Sequence, residues 1–154
     1  MTNPPAVLMV ELVMSIDRMI QSARSAKKAR SVKAVRGEWP AQVVLGHVCQ
    51  VDEQVWIPRI ATMCQAMASG AEPPKFPWWE PDADATFQRF QGMELDDVCA
   101  LAMSSRTHLL SAVKDLTLEQ WNAVAEHEDF GTIDVAGLII QILTHDEEHR
   151  ASLV

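Results

Sequence analysis

The stretch from Asp134 to Leu153 constrains the fold more than any other. Its apolar residues recur at Val135, Leu138, Ile139 and Ile142, the spacing of an amphipathic helix with one buried face. Carried forward, the stripe lands on His145, His149 and Leu153. Two histidines therefore fall on the face that such a helix turns inward, and Asp134, a favoured N-cap type, stands directly before the stripe. A helix with this pattern needs other helices to pack against, and the chain offers no β-alternation of useful length and no internal repeat. The expectation is an all-α fold.

The other helices are read in order. The first runs from about Ala6 to Ala26, with Val7, Leu8, Val10, Leu12, Val13, Ile16, Met19 and Ile20 forming a broad apolar face. A basic segment follows and Gly37 breaks it. The second helix begins near Pro40 and extends to about Ala68, with an inward stripe of Val43 or Val44, His47, Val51, Val55, Ile60 and Met63. Pro58 removes one ladder hydrogen bond from it and predicts a kink. Residues 69–81 carry four prolines and one glycine, so neither a helix nor a central strand persists there. A short helix spans Ala83 to Gln91. A third long helix spans Leu95 to Leu116, with Val98, Leu101, Ala102, Leu109, Leu110 and Val113 facing the core. Thr117-Leu-Glu-Gln120 reads as a capping box for a brief turn containing Trp121, and His127 falls in a polar stretch read as a solvated loop.

Residues four apart on a helix lie one turn above each other, with β-carbons roughly 5–6 Å apart, so His145 and His149 suit one metal ion. The intervening Asp146, Glu147 and Glu148 point mostly elsewhere. A histidine on an apolar stripe is often no more than a packed core residue. His47 occupies the same kind of core-facing slot on the second helix. His108 lies about 20° from Leu101 when seven residues are unrolled, and by that logic faces inward too. Cys49 sits about 200° from His47 around the helix, away from any site that His47 lines.

Three features together resemble the DinB/YfiT-like family of metalloenzymes. They are Glu38-Trp39-Pro40 at a helix start, Leu45-Gly46-His47 about two turns on, and the terminal His145-x-x-x-His149. Asp129-Phe-Gly-Thr132, just before the last helix, is similar as well. The resemblance spans Val7 to Leu153 and implies a four-helix bundle with a divalent metal, zinc, nickel or iron, held by His47, His145 and His149. It also implies a reaction class. Characterised relatives include enzymes that use mycothiol or bacillithiol in S-transfer or in maleylpyruvate isomerisation. A transferase or isomerase in which the metal activates a low-molecular-weight thiol, or water, is thus the implied activity. Homodimers are common among such relatives.

Three neutral imidazoles leave open coordination positions, the mark of a catalytic rather than a closed structural site. Asp146, Glu148, Asp52 and His108 are the candidates for acid and base work. Arg59, Trp78 and Trp79 are candidates for holding a cofactor or small-molecule substrate, the tryptophans because long connections often form binding loops. A zinc-peptidase reading of His145-Asp-Glu-Glu-His149 is weaker, since Asp146 replaces the glutamate that H-E-x-x-H requires. The rival from another class is a non-catalytic bundle, metal-binding or not, that works as a dimeric interaction or sensing module.

Composition bounds these readings. With 154 residues and 48% apolar content, residues 1–154 suit one domain with its own core. The net charge of −8 opposes binding to nucleic acid and to anionic membranes. Only Arg24, Lys27, Lys28, Arg30, Lys33 and Arg36 form a basic cluster, read as a solvated connector or as a collar attracting anions. Cys49, Cys64 and Cys99 form no C-x-x-C pair, which fits a reducing, cytoplasmic setting. No apolar run of membrane-spanning length and no secretory start occur.

Overall fold

A computed structural model of the chain describes residues 5–26 and 39–153. Lys27, Lys28, Arg30, Lys33, Arg36 and Gly37 lie outside the described residues. Helix α1 runs Pro5–Ser25, α2 Ala41–Val51 and α3 Ile57–Ser69, the last two joined by a π-helical turn at Asp52–Trp56. Helices α4 (Ala83–Phe90), α5 (Leu95–Val113), α6 (Leu118–Trp121) and α7 (Val135–Ala151) follow. The α1 rod packs along α5 and α7, and α2 packs along α5, giving the predicted four-helix bundle. Among the described residues no helix is long and apolar enough to cross a membrane.

The caps behave as their residue types require. Asp134 accepts from the Gly137 amide at 2.7 Å, and Thr117 with Gln120 forms the reciprocal capping box. Gly70 closes α3 in the left-handed conformation at φ 67°, which a side chain would strain.

Three expectations are corrected. The second rod carries a π-helical turn just before Pro58 rather than a simple proline kink. Proline has no N–H and crowds the carbonyl four residues earlier, and an inserted residue in the preceding turn absorbs both defects. The insertion also turns the rod, so the buried stripe passes through Val55 and Trp56 before resuming at Ile60 and Met63. Three short strands accompany the helices: β1 (Lys75–Phe76), β2 (Val124–His127) and β3 (Gly131–Asp134). They order β1-β2-β3, with β1 parallel to β2 and β2 antiparallel to β3. Strands of two to four residues hold too few positions for an alternation to register. On α1, finally, Val7, Val10 and Val13 are exposed, leaving Leu8, Leu12, Ile16, Met19 and Ile20 as the buried stripe.

Two apolar clusters make up the core. One gathers around Leu12, Val55, Leu109 and Leu138, the other around Ile16, Trp39, Val44 and Phe90. Within the second, Gly46 is dictated by close approach: a Cβ there would stand 2.3 Å from the Phe90 ring, which is fully buried. Gly46→Ala should therefore destabilise the protein by about 1–3 kcal/mol through overpacking. Urea unfolding measures this, and Phe90→Leu in the same chain should restore part of the loss.

Between the clusters lies a charged layer. Arg106, 1% exposed, donates from all five of its N–H positions. The acceptors are Asp52 at 3.1 and 3.3 Å, Asp146 at 2.8 and 3.1 Å, and the Leu12 carbonyl at 3.0 Å. Ser15 adds a bond to Asp146 at 2.8 Å and Ser105 a long one to Asp52 at 3.4 Å. One guanidinium thereby ties together α1, the π turn, α5 and α7.

Candidate metal centre

His47 reaches the interior from the middle of α2, and His145 and His149 from successive turns of α7. One ring nitrogen from each lies within 4.8 Å of the other two. The Nε2 atoms of His145 and His149 are 3.1 Å apart, and the His47 ring centroid is 4.6 Å from that of His149 and 5.5 Å from that of His145. Bonds of about 2.0–2.1 Å to a tetrahedral ion would place nitrogens about 3.3 Å apart, so this donor set fits a divalent metal after side-chain shifts of an ångström or so. His47 and His149 are buried and His145 is partly open. Trp39 stands 5.5 Å from the His47 ring and Trp56 5.8 Å from the His145 ring, giving two aromatic walls.

A narrow pocket, with a cavity volume of about 20 Å³, adjoins His47 and His145. His47, His145, Val55 and Trp56 line it, together with Arg59, His127, Phe130 and the half-exposed Trp78 and Trp79. The proline-rich connection thus brings both tryptophans to the histidines. Arg59 Nη2 donates to the Pro77 carbonyl at 2.6 Å, and Glu128 accepts from the Trp78 amide at 2.8 Å. These two bonds hold the connection over the pocket.

The acid and base candidates fare differently. Asp146 is fully buried, and with Asp52 it is committed to Arg106. Burial pushes Asp52 up to about 6, against the downward pull of Arg106. His108 is exposed and pairs with Glu53 at 2.7 Å beside a different cavity. Its angular relation to Leu101 holds, but Leu101 is itself 38% exposed, so both residues are on the outer side of α5. Glu148 is exposed on a shallow groove with Glu11 and Ile140. Burial drives the Cys49 thiol up to about 12, which keeps it neutral.

His127 and Arg106 escaped the sequence reading. His127 is 5% exposed in β2, not a solvated loop residue, and its ring stacks on Phe130 at 4.2 Å. A strand of four residues is too short to carry a local sign of this. Arg106 did leave a sign, because Ala102, Arg106, Leu109 and Val113 continue a single helical stripe.

A helical bundle that encloses three converging imidazoles defines the class of structure. The chain belongs to the DinB superfamily, which it matches over residues 6–153. Its fold is similar to that of YfiT from Bacillus subtilis, a probable metal-dependent hydrolase with an unusual four-helix bundle topology. The TM-score is 0.69 at 14% identity, over 97% of this chain and 83% of that one. It is also similar to the mycothiol-dependent maleylpyruvate isomerase, with TM-score 0.66 and 12% identity over 98% of this chain. The match covers 61% of the isomerase, so this chain spans about three fifths of that protein's length. No curated protein sequence matches at a significant level. At such identities the likeness is one of fold.

Proposed function

We propose that the protein is a metal-dependent enzyme acting on a small molecule, with His47, His145 and His149 as the metal ligands. The observation that carries this is the convergence of three ring nitrogens within 4.8 Å, two of the rings, His47 and His145, lining an aromatic pocket. A bound divalent ion would supply Lewis acidity, lowering the pKa of a coordinated water or thiol enough to give a nucleophile near neutral pH. The chain does the rest. Trp39 and Trp56 restrict water around the rings, and the Arg106 layer holds α7 and the π turn at a set separation. Trp78 and Trp79 supply flat apolar surface at the outer rim for an organic substrate.

The finer reading is a transferase or isomerase that uses a low-molecular-weight thiol. It is supported by the thiol-dependent isomerase among the structural neighbours, and Cys49, the cysteine nearest to His47 in sequence, is buried and neutral and so offers no competing nucleophile. Purified protein should carry close to one divalent ion per chain by elemental analysis, and should conjugate an electrophile in a screen of bacterial thiols with turnover abolished by chelation. Metal-loaded protein that turns over with none of the thiols would exclude the thiol step. Protein that takes up no metal from supplemented medium would overturn the enzyme reading in favour of a non-catalytic bundle.

A further inference from the structure

Arg59 and His127 face each other in a way that neither can satisfy alone. His127 Nδ1 accepts from the backbone amides of Asp129 at 3.0 Å and Phe130 at 3.3 Å. A ring nitrogen that accepts carries no proton, so the proton of the neutral imidazole is on Nε2. That Nε2–H is aimed at Arg59 Nη1, 3.1 Å away, and a guanidinium nitrogen only donates. Two donors thus meet head to head. Moving the proton to Nδ1 sets it against two amides instead of one guanidinium, and a doubly protonated ring opposes all three. Rotating the ring would place carbon atoms against every partner. Each alternative is worse, so the conflict belongs at the Arg59 end.

The surroundings deepen it. Among the ion pairs of the described residues none engages Arg59, whose half-buried charge rests on the Phe76 face at 4.9 Å and on the Pro77 carbonyl. Burial lowers the Arg59 value, and burial followed by the nearby Arg59 charge lowers that of His127, which keeps the ring neutral. Trp56, lining the same pocket, has a buried indole N–H with no hydrogen-bond partner among the described residues. Arg59 Nη1, His127 Nε2 and Trp56 Nε1 are thus three donor nitrogens around one pocket without an acceptor among the described residues, while the Glu80 carboxylate stands elsewhere on the pocket lining.

We infer that Arg59 and His127 form an anion subsite beside the histidine cluster, which takes a carboxylate of the substrate or of its thiol partner. One carboxylate oxygen accepts from His127 Nε2–H and the other from the Arg59 guanidinium, replacing a donor–donor conflict with two charge-assisted hydrogen bonds. A planar, two-oxygen anion matches a fork and a ring N–H that stand side by side. The inference rests on the reading of this pocket as the ligand site, and gives that site a polarity: metal-activated chemistry at one end, a fixed carboxylate at the other.

The test uses the full chain, 15N-labelled and metal-free, titrated with acetate, with acetamide as the neutral isostere and inorganic phosphate as a competing oxyanion. Long-range proton–nitrogen spectra near neutral pH should show His127 as the Nε2–H tautomer and should shift that resonance with acetate but not acetamide. Arg59→Gln should weaken acetate binding by about tenfold or more with an unchanged far-ultraviolet spectrum, and Arg59→Lys should recover part of it. An Nδ1–H tautomer, equal responses to acetate and acetamide, or phosphate binding more tightly than acetate would overturn the assignment. Acetate that binds only after zinc is added, and equally well to Arg59→Gln, would also overturn it while leaving the metal site standing. Failure of zinc itself to bind would instead count against the metal reading.

Discussion

Replacing Arg106 by leucine should cost the protein about 3–5 kcal/mol of folding stability, the range for removing one partner from a buried ion network. The cation stands between Asp52 and Asp146, both fully buried, and is their main polar partner. Without it two carboxylates remain in an apolar interior with single serine hydroxyls. Chemical denaturation of the metal-free protein measures the loss. The penalty should shrink on acidification, because protons can then neutralise the orphaned carboxylates. In the intact protein Asp52 already has a folded value near 6, above the ordinary 3.8. A raised carboxylate favours the folded state below its unfolded value and loses that contribution as pH rises through the folded one. Wild type thus also gains from acid, but by less than the variant, which has two orphaned carboxylates to neutralise, so the penalty still shrinks; a variant with all three residues made apolar should regain most of the stability. Equal penalties at acidic and neutral pH would show that Arg106 acts through shape rather than charge.

Metal binding should depend on His47 to a comparable degree. His145 and His149 come from one helix and are preset by the backbone; His47 comes from another and completes the donor set. Changes to groups that only orient a metal ligand lower affinity about 10–100-fold, so His47→Ala, which deletes a ligand, should exceed the upper end of that range. Competition against a chromogenic chelator gives the affinity directly. Loss of a buried ring also leaves a cavity, so the variant's stability is compared with wild type in the absence of metal, where any difference reports packing alone. His108→Ala is the control, since that ring is exposed beside Glu53 and should leave affinity unchanged. Equal metal affinity in His47→Ala and wild type would remove the three-ligand site.

Much of this was legible before any coordinate was known. The helices, the Asp134 and Thr117 caps and the inward placement of His47 and His149 all follow from patterns within a few turns of chain. The misreadings have one origin. His108 was placed from a stripe that took Leu101 as core, when that leucine lies on the outer side; Asp146 was read only as turned away from the two histidines, with nothing beside it in sequence to name its partner. Its partner lies forty residues away on α5, and that of Asp52 fifty-four residues away on the same guanidinium.

The sequence by itself therefore determined the main buried stripe of most helices and that His47 and His149 lie on it, with His145 at its edge, since helical periodicity is set by neighbours one turn apart. Tertiary structure alone decided which distant groups meet: Arg106 with two aspartates, the tryptophans of the proline-rich connection with the pocket that His47 and His145 line, and Arg59 with His127. A charge or a ring nitrogen has no periodicity to reveal its partner. Such pairings depend on how the rods are rotated about their axes, and here the π turn at Asp52–Trp56 sets part of that rotation through an insertion of one residue.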